Sequence, residues 1–269
     1  MPQSQLQAVV FDWAGTVVDY GSRAPMGVFV RAFAGFDVEI SVDEARGPMG
    51  MAKRDHISAV LQLPRVADAW AARHGAPPSE LDVDRVYEVF VPLNVAVVAD
   101  HAQLIEGAAE TVARLRERGL KIGSTTGYTR EIMAPLLPLA AAQGYAPDNL
   151  VCAGDLPAGR PTPLMMYRTF LDLGVWPAWR VVKVDDTEVG IEEGINAGCW
   201  TVGVALTGNA LGLTEAETTA LAVDELRCRR ADAAGKLLRS GAHHVIDGVA
   251  DLEPVLDVIE GALVRGERP

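Results

Sequence analysis

The sequence predicts a doubly wound parallel α/β sheet with an inserted helical cap domain, and three observations carry that prediction. Short apolar runs, too brief for helices, recur along the chain and end in small or acidic residues. Helix-period stretches alternate with them, as in a parallel sheet covered on both faces. One interval, residues 21–99, breaks the rhythm with helical patterns and no strand run.

Residues 6–11 (LQAVVF) read as a buried strand running into Asp12 and Gly15. Helical patterns follow at 26–34, 52–61, 66–74 and 83–98, and Pro92 should kink or split the last of them. The sheet resumes near Gly107 with a helix at 108–118, a strand at 121–124 (KIGS) and a helix at 130–143. A helix at 163–173, a strand at 181–184 (VVKV), a helix at 189–197 and a strand at 200–204 (WTVGV) come next. The polar residues 214–239 read as one or two surface helices, 243–246 (HHVI) as a less apolar fifth strand, and a terminal helix begins near Leu252. The chain thus divides into a core domain of residues 1–20 and 100–269 and a cap domain of residues 21–99. Sheets of this kind bind ligands at the carboxyl ends of their strands.

Charge bounds the partners. With 24 basic and 36 acidic residues the net charge is −12, which argues against nucleic acid and leaves only local attraction for an anionic substrate. Residues 1–5 (MPQSQ) show no leader pattern, and runs such as 95–99 (VAVVA) are too short for a bilayer. A cytoplasmic protein without a membrane partner is expected. Cys152, Cys199 and Cys228 have no CxxC spacing and are expected to be buried, reduced thiols.

Four segments place chemistry at expected strand ends. Asp12 opens DWAGT (12–16), where a carboxylate acts as nucleophile, metal ligand or simple turn cap. Thr126 and Gly127 lie in STTGY (124–128), whose hydroxyl and N–H donors before a helix suit a phosphoryl group or ordinary capping. Asp185 and Asp186 are adjacent acids that repel unless a cation such as Mg²⁺ compensates them. Arg160, in GRPTP (159–163), would neutralise charge on a transferring phosphoryl group, or stand in solvent.

Taken in order, these segments resemble the haloacid dehalogenase superfamily of phosphotransferases. The resemblance implies that Asp12 forms an aspartyl-phosphate, that Thr126, Gly127 and Arg160 hold phosphate, and that Asp186 binds Mg²⁺, with Asp185 supporting the metal ligands from behind or linked to the metal itself. Most phosphatases of that superfamily carry a second aspartate two positions after the nucleophile to protonate the leaving alcohol; here that position is Ala14.

Residues 46–56 (RGPMGMAKRDH) lead from a glycine- and proline-rich turn into a helix with Lys53 in its first turn. A positive helix end disfavours the ammonium, and a neutral amine is what imine formation requires, although a surface lysine fits the same pattern. This string, with residues 11–21 (FDWAGTVVDYG), 123–129 (GSTTGYT), 158–161 (AGRP) and 196–204 (NAGCWTVGV), resembles the phosphonatase branch of that superfamily, the phosphonoacetaldehyde hydrolases. The likeness runs over nearly the whole chain. It implies cleavage of the P–C bond of phosphonoacetaldehyde to acetaldehyde and phosphate, in 2-aminoethylphosphonate degradation. A Lys53 Schiff base would accept the electrons that no alkoxide need carry. His56 would shuttle protons, Met49 and Tyr128 would line the pocket, and two copies would pair through their caps. Where many members have another acid this chain has Gly190, so the metal would rely on Asp12, the backbone carbonyl of Ala14, Asp186 and water. The rival readings are a metal-independent haloacid dehalogenase, a capped phosphomonoesterase or mutase, and a catalytically dead binding module.

Overall fold

A computed structural model describes residues 5–269; residues 1–4, which open the expected core domain, lie outside the described residues. Among the described residues six parallel strands form one sheet: β1 (Ala8–Phe11), β2 (Lys121–Thr126), β3 (Val151–Cys152), β4 (Val181–Asp185), β5 (Trp200–Val204) and β6 (His244–Ile246). Their spatial order is β3-β2-β1-β4-β5-β6. The central β1 pairs Ala8 with both Lys121 and Val181, and Phe11 with both Ser124 and Val184. That register brings Asp12, the last residues of β2 and Asp185 to one edge. β1, β4 and β5 are buried along their whole length, which explains their unbroken apolar runs.

Between β1 and the next helix of the sheet layer lie five α-helices, a short 3₁₀ turn (Ala99–His101) and no strand. The α-helices are α1 (Ala24–Ala34), α2 (Val42–Arg46), α3 (Lys53–Leu61), α4 (Pro64–His74) and α5 (Glu80–Val98). Phe29, Phe33, Val60, Leu61, Val86 and Phe90 are buried among them in a cluster continuous with the sheet's core. The remaining helices are α6 (Ala108–Glu117), α7 (Arg130–Ala142), α8 (Leu164–Leu173), α9 (Glu188–Ala197), α10 (Glu215–Ala220), α11 (Val223–Arg239) and α12 (Leu252–Val264). None of the described helices is long and apolar enough to cross a membrane.

Several local expectations need correction. Pro92 does not split α5, which runs unbroken from Glu80. Its ring lies on the exposed face, where water can serve the carbonyl four residues earlier. Strand β3 and helix α2 are additional elements. The first has only two residues; the second has five, held by a capping box between Ser41 and Glu44. Cys152 and Cys199 are buried free thiols, but Cys228 is exposed, because it falls on the polar face of α11.

Candidate active site

At the carboxyl edge of the sheet, Asp12, Ala14, Thr126, Gly127, Tyr128 and Arg160 meet Met49 and Lys53 of the helical insertion around one chamber. Its free volume is about 20 Å³, room for roughly one water molecule. The insertion is seated tightly on the sheet. A Cβ added at Gly127 would lie 2.7 Å from the Met51 carbonyl oxygen and 2.9 Å from that of Gly50. Only glycine permits that approach.

Behind the chamber stands a buried frame of charge. Arg160 is ion-paired through Nη1 to Asp12 Oδ1 at 2.8 Å, through Nη2 to Asp185 Oδ2 at 3.3 Å and through Nε to Glu193 Oε2 at 3.0 Å. Lys183, fully buried in β4, lies 3.0 Å from Asp185 Oδ2 and 3.3 Å from Glu193 Oε2. Thr125 Oγ1 donates to Glu193 at 2.8 Å. This frame fixes the guanidinium so that one edge faces Asp12. Sequence reasoning missed Thr125, Lys183 and Glu193. Lys183 had a signal, since a cation inside an apolar parallel strand needs a buried partner; Glu193 had none, because only the fold brings α9 against β4.

The acids differ in what holds them. Asp185 accepts from the Thr187 N–H at 3.0 Å and the Thr187 hydroxyl at 2.7 Å. Burial alone would raise its pKa, but Arg160 and Lys183 outweigh it and hold the carboxyl below its usual range. Asp12 is pushed up to about 6 by burial and by the charge of Asp185, despite Arg160. Asp186 is pushed well above the ordinary carboxylate range by burial, Asp12 and Asp185. Its Oδ2 accepts the Asn209 backbone N–H at 2.7 Å.

Oxygens of Asp12, Asp185 and Asp186 lie within 4.8 Å of one another. With all four carboxylates ionised, Asp12, Asp185, Asp186 and Glu193 outnumber the cations beside them, and a divalent cation would offset that repulsion. Hard oxygen donors of this kind suit Mg²⁺. Asp185 is committed to three protein partners, so Asp12 and Asp186 are the freer donors, and Ala14 lines the same chamber. The structure also accounts for Gly190. A Cβ there would lie 2.0 Å from the Asp185 carboxyl carbon, so the Asp185 side chain fills the space that an acid at position 190 would need.

Lys53 begins α3 and is 3% exposed. Its Nζ lies 4.0 Å from Met49 Sδ, 5.0 Å from the Tyr128 ring centroid and 5.8 Å from that of Phe29. Burial in this apolar box, more than the helix end invoked from sequence, lowers its pKa to about 8. His56 is fully buried, stacked on Phe29 with ring centroids 4.0 Å apart. Its Nε2 donates to the Ala45 carbonyl at 2.7 Å, which leaves Nδ1 as an acceptor with no protein partner. Burial and the neighbouring Lys53 hold its pKa well below the usual value, so the ring is neutral. Phe29 was not singled out from sequence; it lies 24 residues before Lys53 and looks like any core aromatic.

The chain matches the haloacid dehalogenase-like hydrolases over residues 6–198. It is 60% identical over 264 residues to the phosphonoacetaldehyde hydrolase of Paraburkholderia phytofirmans, covering 98% of this chain and 99% of that protein. The phosphonoacetaldehyde hydrolase of Klebsiella pneumoniae is 47% identical, covering 99% of this chain and all of its own length. The crystal structure of a phosphonoacetaldehyde hydrolase-like protein from Oleispira antarctica superposes with a TM-score of 0.97 at 43% identity, covering 99% of this chain and 97% of that one. A β-phosphoglucomutase from Clostridium difficile shares the fold at a TM-score of 0.69 and 15% identity, covering 97% of this chain and 99% of that one. The chain belongs to the phosphonoacetaldehyde hydrolases, a family within the haloacid dehalogenase-like hydrolases.

Proposed function

We propose that the protein hydrolyses the P–C bond of phosphonoacetaldehyde to acetaldehyde and phosphate, within 2-aminoethylphosphonate breakdown, with Asp12 and Lys53 as covalent catalysts. The single observation that carries this reading is the chamber itself, where a buried amine of lowered pKa and an arginine-paired carboxylate face each other with Ala14 in place of a leaving-group acid.

Residues 21–99 act as the cap and the rest as the core. The chamber between cap and core is narrow, about 20 Å³, so the cap parts to admit substrate and closes over it to exclude water. Lys53 condenses with the aldehyde and releases water. The protonated imine that results lies between the faces of Tyr128 and Phe29, whose quadrupoles favour a cation. Neutral His56, with Nδ1 free, accepts and returns protons at the imine nitrogen directly or through water. Thr126, Gly127 and Arg160 hold the phosphonate oxygens, and Met49 packs against the two-carbon arm. Asp12 attacks phosphorus; the P–C bond breaks, its electrons pass into the iminium and an enamine remains on Lys53. Water then cleaves the aspartyl-phosphate to phosphate, and protonation and hydrolysis of the enamine give acetaldehyde and free Lys53. Mg²⁺, held by Asp12, Asp186 and the carbonyl of Ala14 with Asp185 behind them, would neutralise charge on the phosphonate.

Borohydride trapping tests this reading. A two-carbon adduct on Lys53, formed only with phosphonoacetaldehyde, is expected. Because the nucleophile is the neutral amine, the rate of adduct formation should rise with pH through about 8, where Lys53 loses its proton. Phosphate release without any Lys53 adduct would sink the mechanism.

Metal removal separates the rivals. EDTA should abolish phosphate release, Mg²⁺ should restore it, and Mg²⁺ should raise the Tm of the substrate-free protein by relieving carboxylate repulsion. Halide release from a haloacid that survives EDTA, with no phosphate release and an unmoved Tm, favours the metal-independent haloacid dehalogenase. Pairing of two copies through their caps fits the exposed Val42, Leu81 and Val89. A reducing cytoplasmic setting fits the exposed thiol of Cys228.

A further inference from the structure

Arg46 ends α2, seven residues before Lys53, and its guanidinium crosses from the insertion to the core. Nη1 donates to the carbonyl of Gly21 at 3.0 Å, the carbonyl of Asn209 at 3.3 Å and Asn209 Oδ1 at 2.9 Å. Nη2 donates to the Gly212 carbonyl at 2.9 Å. Asn209 answers, its Nδ2 donating to the Arg46 carbonyl at 3.4 Å. The core loop is shaped for this visitor. A Cβ at Gly212 would lie 2.5 Å from the guanidinium carbon, so Gly212 makes the space Arg46 occupies.

Two features distinguish this from ordinary packing. Arg46 lines cavities of about 350 Å³ and 470 Å³, so it bridges a cleft rather than filling a core. All of its acceptors are neutral oxygens. Such hydrogen bonds are directional, yet breaking them strands no buried carboxylate, as opening a buried ion pair does. Asn209, the residue it grips, also presents its backbone N–H to Asp186 at 2.7 Å.

We propose that Arg46 latches the insertion shut over Lys53 and ties that closure to Asp186 through Asn209. It touches no reacting atom and is a positioning residue. The inference rests on the cap closure described above, but not on the substrate or the imine. When the latch is made, Lys53 is buried and the Asn209–Gly212 loop holds the Asp186 carboxylate in place; when it is released, the loop and the insertion part together.

The four lysines of the chain make the test internal. Substrate-free full-length protein, held well below its Tm, is acylated with an N-hydroxysuccinimide ester at pH 8 and each lysine is followed by peptide mass spectrometry. Lys121 is exposed and serves as the standard, whereas Lys183 is fully buried in β4 and reacts only on unfolding. Arg46→Met is expected to speed Lys53 acylation about tenfold or more, leaving Lys183 unreactive. Asn209→Ala should speed it less, and the double variant no more than Arg46→Met alone, since both break one contact. Arg46→Lys, which cannot span the acceptors, should fall between the wild type and Arg46→Met. In turnover, Arg46→Met should lower kcat more than it changes KM. Unchanged Lys53 reactivity in Arg46→Met overturns the latch, and so does a rise of Lys53 and Lys183 together, which marks general destabilisation. Because the acylation needs no substrate, a failed imine test would leave this result standing, and the reverse holds too.

Discussion

Asp12→Asn is expected to abolish phosphate release, by about 10⁴-fold or more, while a borohydride-trapped adduct still forms on Lys53. In the mechanism proposed above the two events are chemically separate: the aldehyde would meet the amine of α3, and phosphorus the carboxylate at the end of β1. The amide keeps the size of the side chain and loses the nucleophilic charge. Stability should not fall with activity. Asp12 is pushed up to about 6 by burial and by Asp185, so removing its charge relieves repulsion in the frame as well as loosening Arg160. The check is phosphate release beside adduct yield and Tm in the same preparation. Phosphate release within tenfold of wild type would assign the attack on phosphorus to another group.

Lys53→Met is expected to cost about 10³-fold or more in P–C cleavage and to leave the fold as stable as before or slightly more so. The thioether enters a box already made by Met49, Phe29 and Tyr128, and it removes an amine whose burial is unfavourable. With no iminium to receive them, the electrons of the P–C bond have no destination, because Ala14 offers no proton. Lys53→Arg should be equally inactive, since guanidinium does not condense with the aldehyde. The measurement is acetaldehyde and phosphate release, together with a melting curve. A loss under tenfold in either variant favours the capped phosphomonoesterase, in which this lysine merely binds.

The sheet was legible because parallel strands buried on both faces write themselves as apolar runs; VVF, VVKV and WTVGV all lie in β1, β4 and β5. Strand β3 was not, since Val151 and Cys152 pair only with Thr125 and Thr126 and leave no periodicity to read. Helix α2 left one trace, the Ser41 and Glu44 capping pattern, in a stretch otherwise too short and polar to notice. Asp12, Thr126, Arg160, Asp185 and Asp186 stood out because strand ends converge at one edge. The third acid paired with Arg160 did not. Glu193 sits in an ordinary acidic helix segment, and only the packing of α9 on β4 turns it into a buried counter-charge. Asn209 and Arg46 were hidden for a similar reason: their contact spans 163 residues and uses mostly backbone oxygens.

The seam between Gly127 and the carbonyls of Gly50 and Met51 has a consequence for substrate choice. With only about 20 Å³ between the two surfaces, the closure proposed above would gauge a ligand by whether the jaws can shut, much as a calliper does. A longer or branched phosphonate would not need to be refused at the door. It would enter the open form, prop the seam apart and leave Lys53 wet, so discrimination falls on the closing step and bulky analogues act as wedges rather than as poor binders.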